Sequence, residues 1–183
     1  MSSKKSKTIT RLACNCGQVR VDVQEEPILV TECLCSSCRE AAERIISSLR
    51  VKSYLTSYGA TGCAEYRKDR VEVISGFEQL KEFRLSSKSG TRRVIASCCN
   101  TPIFLEMKGA HWLSVYLHLW PDDTKPALNV RTMVGDIDDT SALPDDVPNL
   151  KSHTPSFYIK LLGAWIKMGF QNPKIKVNGS IEL

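Results

Sequence analysis

The chain's 183 residues suffice for one domain with its own apolar core, and 42% hydrophobic with 25% charged residues is the composition of an ordinary soluble globular protein. No stretch approaches the ~20 consecutive apolar residues of a membrane-spanning helix. The net charge of +5 is concentrated at the start, where Lys4, Lys5, Lys7 and Arg11 occur with no acid before position 12. With no aromatic residues interleaved, this reads as a disordered, solvating basic tail over residues 1–10 and argues against nucleic acid as a partner.

Beyond the tail, Cys14-Asn15-Cys16-Gly17 is followed by Val19, Val21 and Val23 alternating with polar residues, the pattern of a half-buried strand. Ile28-Leu29-Val30 predicts a second strand leading into Cys33. The cluster Cys33-Leu34-Cys35-Ser36-Ser37-Cys38 gives way to Arg39–Leu49, whose composition and apolar side (Ile45, Ile46, Leu49) predict a helix. The cluster then sits in a strand-to-helix turn, with the positive helix end facing the thiolates. Gly59 and Gly62 bracket a loop that lacks the Gly-Lys-Ser/Thr ending of a phosphate loop.

Further strands are predicted at Val71–Ile74, Phe83–Leu85, Val94–Ala96, Ile103–Leu105, Leu113–Leu119 and Val130–Val134. A third cluster, Cys98-Cys99-Asn100-Thr101-Pro102, falls between two of them, and residues 136–148 form an acidic, proline-containing loop. Thr154 as N-cap, Pro155 at the first helical position and Phe157, Tyr158, Leu161, Leu162, Trp165 and Met168 at helical spacing predict a C-terminal helix ending at Gly169. Its apolar stripe reads as core packing; the alternative is an interfacial membrane helix, since Ile159 and Ile166 narrow the polar face. Many short strands separated by turn signals indicate a mainly β fold.

Seven of the eight cysteines lie in the three clusters. No apolar segment follows the N-terminal lysines, so no secretory signal and a cytoplasmic location are expected; in a reducing compartment, clustered cysteines point to metal rather than to disulfides. Sulfur ligands in a tetrahedral set select Zn²⁺. His111, His118 and His153 are scattered and read as structural or surface groups, and Asp122-Asp123 and Asp145-Asp146 as solvated turns.

The order of motifs resembles the glutathione-dependent formaldehyde-activating enzymes, which share a domain with centromere protein V. The residues that carry the resemblance are Cys14-Asn15-Cys16-Gly17-Gln18-Val19, Cys33-Leu34-Cys35-Ser36-Ser37-Cys38-Arg39, Gly76-Phe77-Glu78-Gln79-Leu80, Cys99-Asn100-Thr101-Pro102-Ile103 and the turn Gly135-Asp136-Ile137-Asp138-Asp139. The resemblance implies a β-tent fold of twisted antiparallel sheets around zinc, here over residues 11–140, with residues 141–183 as an acidic loop and a C-terminal helix packing on the same domain. It implies one or two zinc ions per chain. A structural site takes Cys14, Cys16 and Cys99; the family's fourth cysteine falls on Ala96, so Cys98 is the expected substitute and Cys63 a second candidate. Both Cys98 and Cys99 can ligate only if the backbone turns sharply there.

Cys33, Cys35 and Cys38 are the expected catalytic site: three ligands with no evident fourth is the pattern of an open zinc. A thiol such as glutathione would be handled there with an aldehyde, formaldehyde by the family's label, in carbon–sulfur lyase chemistry. Arg39, at a motif position, is the expected partner of glutathione's carboxylates, ahead of Arg44, Arg92 and Arg93, which read as solvated. The rival classes are a non-catalytic zinc module for protein or nucleic-acid partners and a thiol redox protein. Cys35-x-x-Cys38 suggests the last, but the βαβ pattern of thioredoxins is missing. Oligomeric state is not legible.

Overall fold

The computed structural model describes residues 8–183. It is mainly β, with two sheets and two helices. The strands are β1 (Ile9–Ala13), β2 (Arg20–Gln24), β3 (Leu29–Cys33), β4 (Thr61–Arg67), β5 (Val71–Ser75), β6 (Leu80–Phe83), β7 (Thr91–Ala96), β8 (Thr101–Met107), β9 (Trp112–Tyr116) and β10 (Val130–Thr132). The helices are α1 (Ser36–Leu49) and α2 (Pro155–Lys167). A small antiparallel sheet has the order β1-β2-β5, and a seven-stranded sheet the order β10-β3-β4-β9-β8-β7-β6. All its neighbours are antiparallel except β10, which runs parallel to β3 at the edge. The basic tail expected over 1–10 falls outside the described residues except for its end, where Ile9 and Thr10 already pair with β2.

The two sheets pack face to face. Leu12, Val21, Val23, Val71 and Val73 of the small sheet meet Val30, Ala64, Tyr66, Val94, Phe104, Leu113 and Val115 of the large one in one buried cluster. Alternation turns the intervening residues to the opposite face. There α1 buries Ala41 and Ile45 against Phe83 and Ile95, and α2 buries Leu161 and Ala164, with the Leu161 carbonyl 2.8 Å from His111 Nε2. The α2 N-cap forms as expected, Phe157 N–H donating to Thr154 Oγ1 at 3.4 Å. Past α2, Asn178 and Ile181 donate backbone N–H to Leu80 and Glu82, so the chain's last segment runs along β6.

Several expectations shift. Residues 59–62 are not one loop: β4 begins at Thr61 and is a central strand. Gly62 serves there because a Cβ would stand 3.0 Å from Leu117 Cδ1. The strand from Leu113 stops at Tyr116, and Leu117–Leu119 form one turn of 3₁₀ helix that places Leu117 over Gly62. The strand placed at Phe83–Leu85 instead ends at Phe83. Asp146 is no free solvated turn residue, since the buried Arg131 donates to it at 2.7 Å, pinning the acidic loop to β10.

Gly76 shows why one motif residue is glycine. Its φ is +76°, and a Cβ would lie 2.7 Å from the Gln18 carbonyl and 2.9 Å from Val19 Cα. Gly76→Ala should therefore destabilise the fold by about 2 kcal/mol or more; an unchanged urea midpoint would contradict this.

Candidate metal centres

The first centre is built by two tight turns. Between β1 and β2, Gly17 N–H returns to the Cys14 carbonyl at 2.8 Å, and Val19 N–H points at Cys14 Sγ at 3.3 Å. Between β7 and β8, Cys99 N–H returns to the Ala96 carbonyl, and Asn100 takes φ +59°. Asn is the side chain that tolerates this left-handed conformation best after Gly, which accounts for its place where the resembling family has glycine. The turn brings the adjacent Cys98 and Cys99 sulfurs to one side, 3.9 Å apart.

Cys14 Sγ lies 3.6 Å from Cys16 Sγ and 3.8 Å from Cys98 Sγ, and Cys16 to Cys98 is 3.4 Å. All four sulfurs of Cys14, Cys16, Cys98 and Cys99 fall within 4.8 Å of one another. Zn–S bonds of ~2.3 Å in a tetrahedron set the sulfurs about 3.8 Å apart, so the donor set fits a closed four-sulfur site. Disulfides are ~2.05 Å, and all eight cysteines are free. Ala96 is thus replaced by Cys98 in position as well as in sequence. Cys63 lies elsewhere, on β4.

The second centre joins the end of β3 to the start of α1. Cys35 is the N-cap of α1, with Cys38 N–H donating to its Sγ at 3.4 Å. Cys33, Cys35 and Cys38 also lie within 4.8 Å of one another. The three thiols share protons: contacts from Cys33 and Cys38 pull Cys35 down, and the same contacts with burial push those two up. The loop is held from two further sides. Ser36 N–H donates to Asp136 at 3.0 Å, from the turn after β10, and Arg93 of β7 donates to the Ser37 carbonyl at 2.9 Å.

These three cysteines face a cavity of about 450 Å³. Its floor is the outward face of the large sheet: Thr31, Cys33, Cys63, Glu65, Ser114, Leu105 and Arg93. The cross-strand pairs Thr31–Cys63, Glu65–Ser114, Leu105–Ser114 and Arg93–Leu105 show that they share it. His153, just before α2, and Phe157 and Tyr158 of its first turn close it. Arg39 does not line this cavity; its Nε lies near Gly59. Nor are Arg92 and Arg93 solvated: Arg92 pairs with Glu82 and Glu106, and Arg93 is 1% exposed. His111 stacks on Trp165, and His118 packs tilted against Tyr54; neither lines the cavity.

The residue that sequence reasoning missed is Glu65. It is 5% exposed, accepts hydrogen bonds from Thr31 Oγ1 at 3.1 Å and Ser114 Oγ at 2.7 Å, and is pushed up to about 7 by burial, against the pull of those hydroxyls. Its strand was not recognised, so no signal singled it out.

A mainly β fold carrying a four-sulfur and a three-sulfur centre defines a candidate metal-binding protein. The chain belongs to the DUF6151 family, a family of unknown function, whose model matches residues 5–136. No curated protein matches it. A crystal structure of a Rhodobacter sphaeroides protein is similar at 16% identity and a TM-score of 0.45, covering 76% of this chain and 99% of that one. The formaldehyde-activating resemblance rests on the sequence motifs alone.

Cys98→Ser should lower the zinc content by about one ion per chain, whereas Cys63→Ser should leave it unchanged; metal analysis of both variants reverses the assignment if the outcomes swap. Glu65 binds its proton more tightly folded than unfolded. Its contribution to stability is therefore fully present below the ordinary carboxyl range near 4.5 and lost as pH rises through about 7. Glu65→Gln should remove this dependence, gaining roughly 3 kcal/mol on the wild type between about pH 5 and about pH 8, as read from urea unfolding of the two proteins.

Proposed function

We propose that the chain handles thiols at a zinc site and makes or breaks the carbon–sulfur bond of thiol–aldehyde adducts, S-hydroxymethylglutathione being the adduct the motif resemblance suggests. The observation that carries the reading is the three-sulfur set Cys33–Cys35–Cys38 opening on a cavity. Cys33, Cys35 and Cys38 would hold a zinc ion, which would supply the Lewis acidity that favours the thiolate form of an incoming thiol. In the forward direction the thiol loses its proton, its sulfur bonds to the carbonyl carbon, and the C=O electron pair becomes an alkoxide that takes up a proton. The reverse step takes the hydroxyl proton, reforms the carbonyl and releases the sulfur.

The chain's own groups divide this work. Asp136 and Arg93 hold the cysteine loop in place. His153 lines the cavity beside the cysteines, its imidazole depressed by burial against the pull of nearby Cys35, and is the group placed to take the thiol proton and return it to the alkoxide. Leu105, Met107, Trp112 and Phe157 exclude water around the reacting carbon.

One observation favours a second reading, a non-catalytic zinc module that docks a protein. Tyr158, Ile159, Leu162 and Ile166 form an exposed apolar stripe on α2.

Purified protein should hold about two zinc ions per chain and bind glutathione, and Cys35→Ser should abolish that binding. Formation of the glutathione–formaldehyde adduct should be lost with it. Zinc retained in a wild-type protein without affinity for thiols or effect on adduct formation would favour the module.

A further inference from the structure

The cavity contains a buried carboxyl group that the thiol chemistry leaves unused. Glu65 stands on the floor two residues along β4 from Cys63, about 7 Å away in a strand, and Cys38 of the cysteine centre packs against the cluster of Cys63, Leu105 and Tyr116. Burial opposes the ionisation of Glu65, the hydroxyls of Ser114 and Thr31 favour it, and no cation of the described residues forms an ion pair with it. The cations around it are committed elsewhere. Arg67, next on the same face of β4, pairs with Asp69. Lys68 pairs with Glu106. Arg93 lies three strands across the floor and donates to Ser37.

Buried carboxylates in folded proteins are ordinarily paired, because an isolated one costs several kcal/mol. This one opens on the same cavity as the three cysteines. Thr31 and Ser114 each donate to a different carboxylate oxygen, which fixes the group's orientation and leaves lone pairs for another donor. Trp112 lines the cavity as well, an aromatic wall of the kind that favours a cation.

We infer that Glu65 receives an ammonium group, so that the cavity takes a small aminothiol with its sulfur at Cys33, Cys35 and Cys38 and its amine on Glu65. The inference rests on the thiol-binding reading of those cysteines. An ammonium completes the carboxylate's charge pairing as it makes its hydrogen bonds, whereas a hydroxyl in the same place leaves the charge uncompensated. Hydrogen bonds to charged groups discriminate by about tenfold or more.

The test is calorimetric titration of the zinc-loaded full chain with cysteamine and aminopropanethiol, against mercaptoethanol and mercaptopropanol. The amines should bind about tenfold more tightly than the matching alcohols, and Glu65→Gln should bring the two series to near parity while the alcohols keep their affinity. Parity in the wild type overturns the inference and leaves the thiol site standing, as does an amine preference that survives in Glu65→Gln. Binding of neither series removes the thiol reading and the inference together. The comparison within the wild type stands even if the variant does not fold.

Discussion

The seven-stranded sheet has to satisfy opposite requirements on its two faces. Toward the small sheet it presents Val30, Ala64, Tyr66, Val94, Phe104, Leu113 and Val115, all buried in one core. On the other face the same strands present Thr31, Cys33, Cys63, Glu65, Ser114 and Arg93. With a side-chain period of two, floor and core residues alternate: Thr31 follows Val30, Glu65 lies between Ala64 and Tyr66, Arg93 precedes Val94, and Ser114 lies between Leu113 and Val115. The floor therefore cannot shift without disturbing the core, and the polar groups on it inherit the core's rigidity. Two helices only partly cover that face: α1 lies over Phe83 and Ile95 toward the β6 side, and α2 meets the sheet at His111. The cavity is the space between them.

The two cysteine centres attach to this arrangement differently. The first joins the turn of the small sheet's β1–β2 hairpin to the turn of the large sheet's β7–β8 hairpin, so it staples the sheets where their apolar packing ends. Its sulfurs complete a tetrahedron among themselves, which suits a structural role. The second centre has one sulfur on the floor, at the end of β3, and two at the start of α1, on its N-cap Cys35 and its first-turn Cys38. That segment is anchored by Asp136 from beyond β10 and by Arg93 from β7. A segment fixed from both flanks of the sheet keeps its sulfur donors in place facing the cavity.

The cysteine centres were legible because ligand geometry is local: one- and two-residue spacings converge wherever a turn follows. Strands with strong alternation, such as the valines before Gln24, were legible for the same reason. β4 was not. Its Thr-Gly-Cys-Ala-Glu-Tyr-Arg has small residues where a central strand usually has branched ones, because Gly62 makes room for Leu117. With β4 read as a loop, Glu65 had no face to belong to. Arg39 stood out by motif position and Arg93 did not, since burial of an arginine depends on which strand lies across from it. β1 escaped notice because only Leu12 of its five residues is buried.

Glu65 and Arg93 occupy one row of the floor, separated by Ser114 and Leu105 on the two strands between them, a span of about 14 Å at strand spacing. They are opposite charges, each buried, and they do not pair. Arg93 keeps one guanidinium nitrogen without any partner, and Glu65 is held by hydroxyls alone. A fold selected only for stability would replace both with apolar residues or bring them together. Separated, they polarise the cavity: positive beside the cysteine loop, where thiolates gather negative charge, and, when Glu65 is ionised, negative beyond Cys63. The cationic end offsets charge that the chain itself supplies through its cysteines. The carboxyl end has no such counterpart among the described residues, and burial instead favours its protonated form.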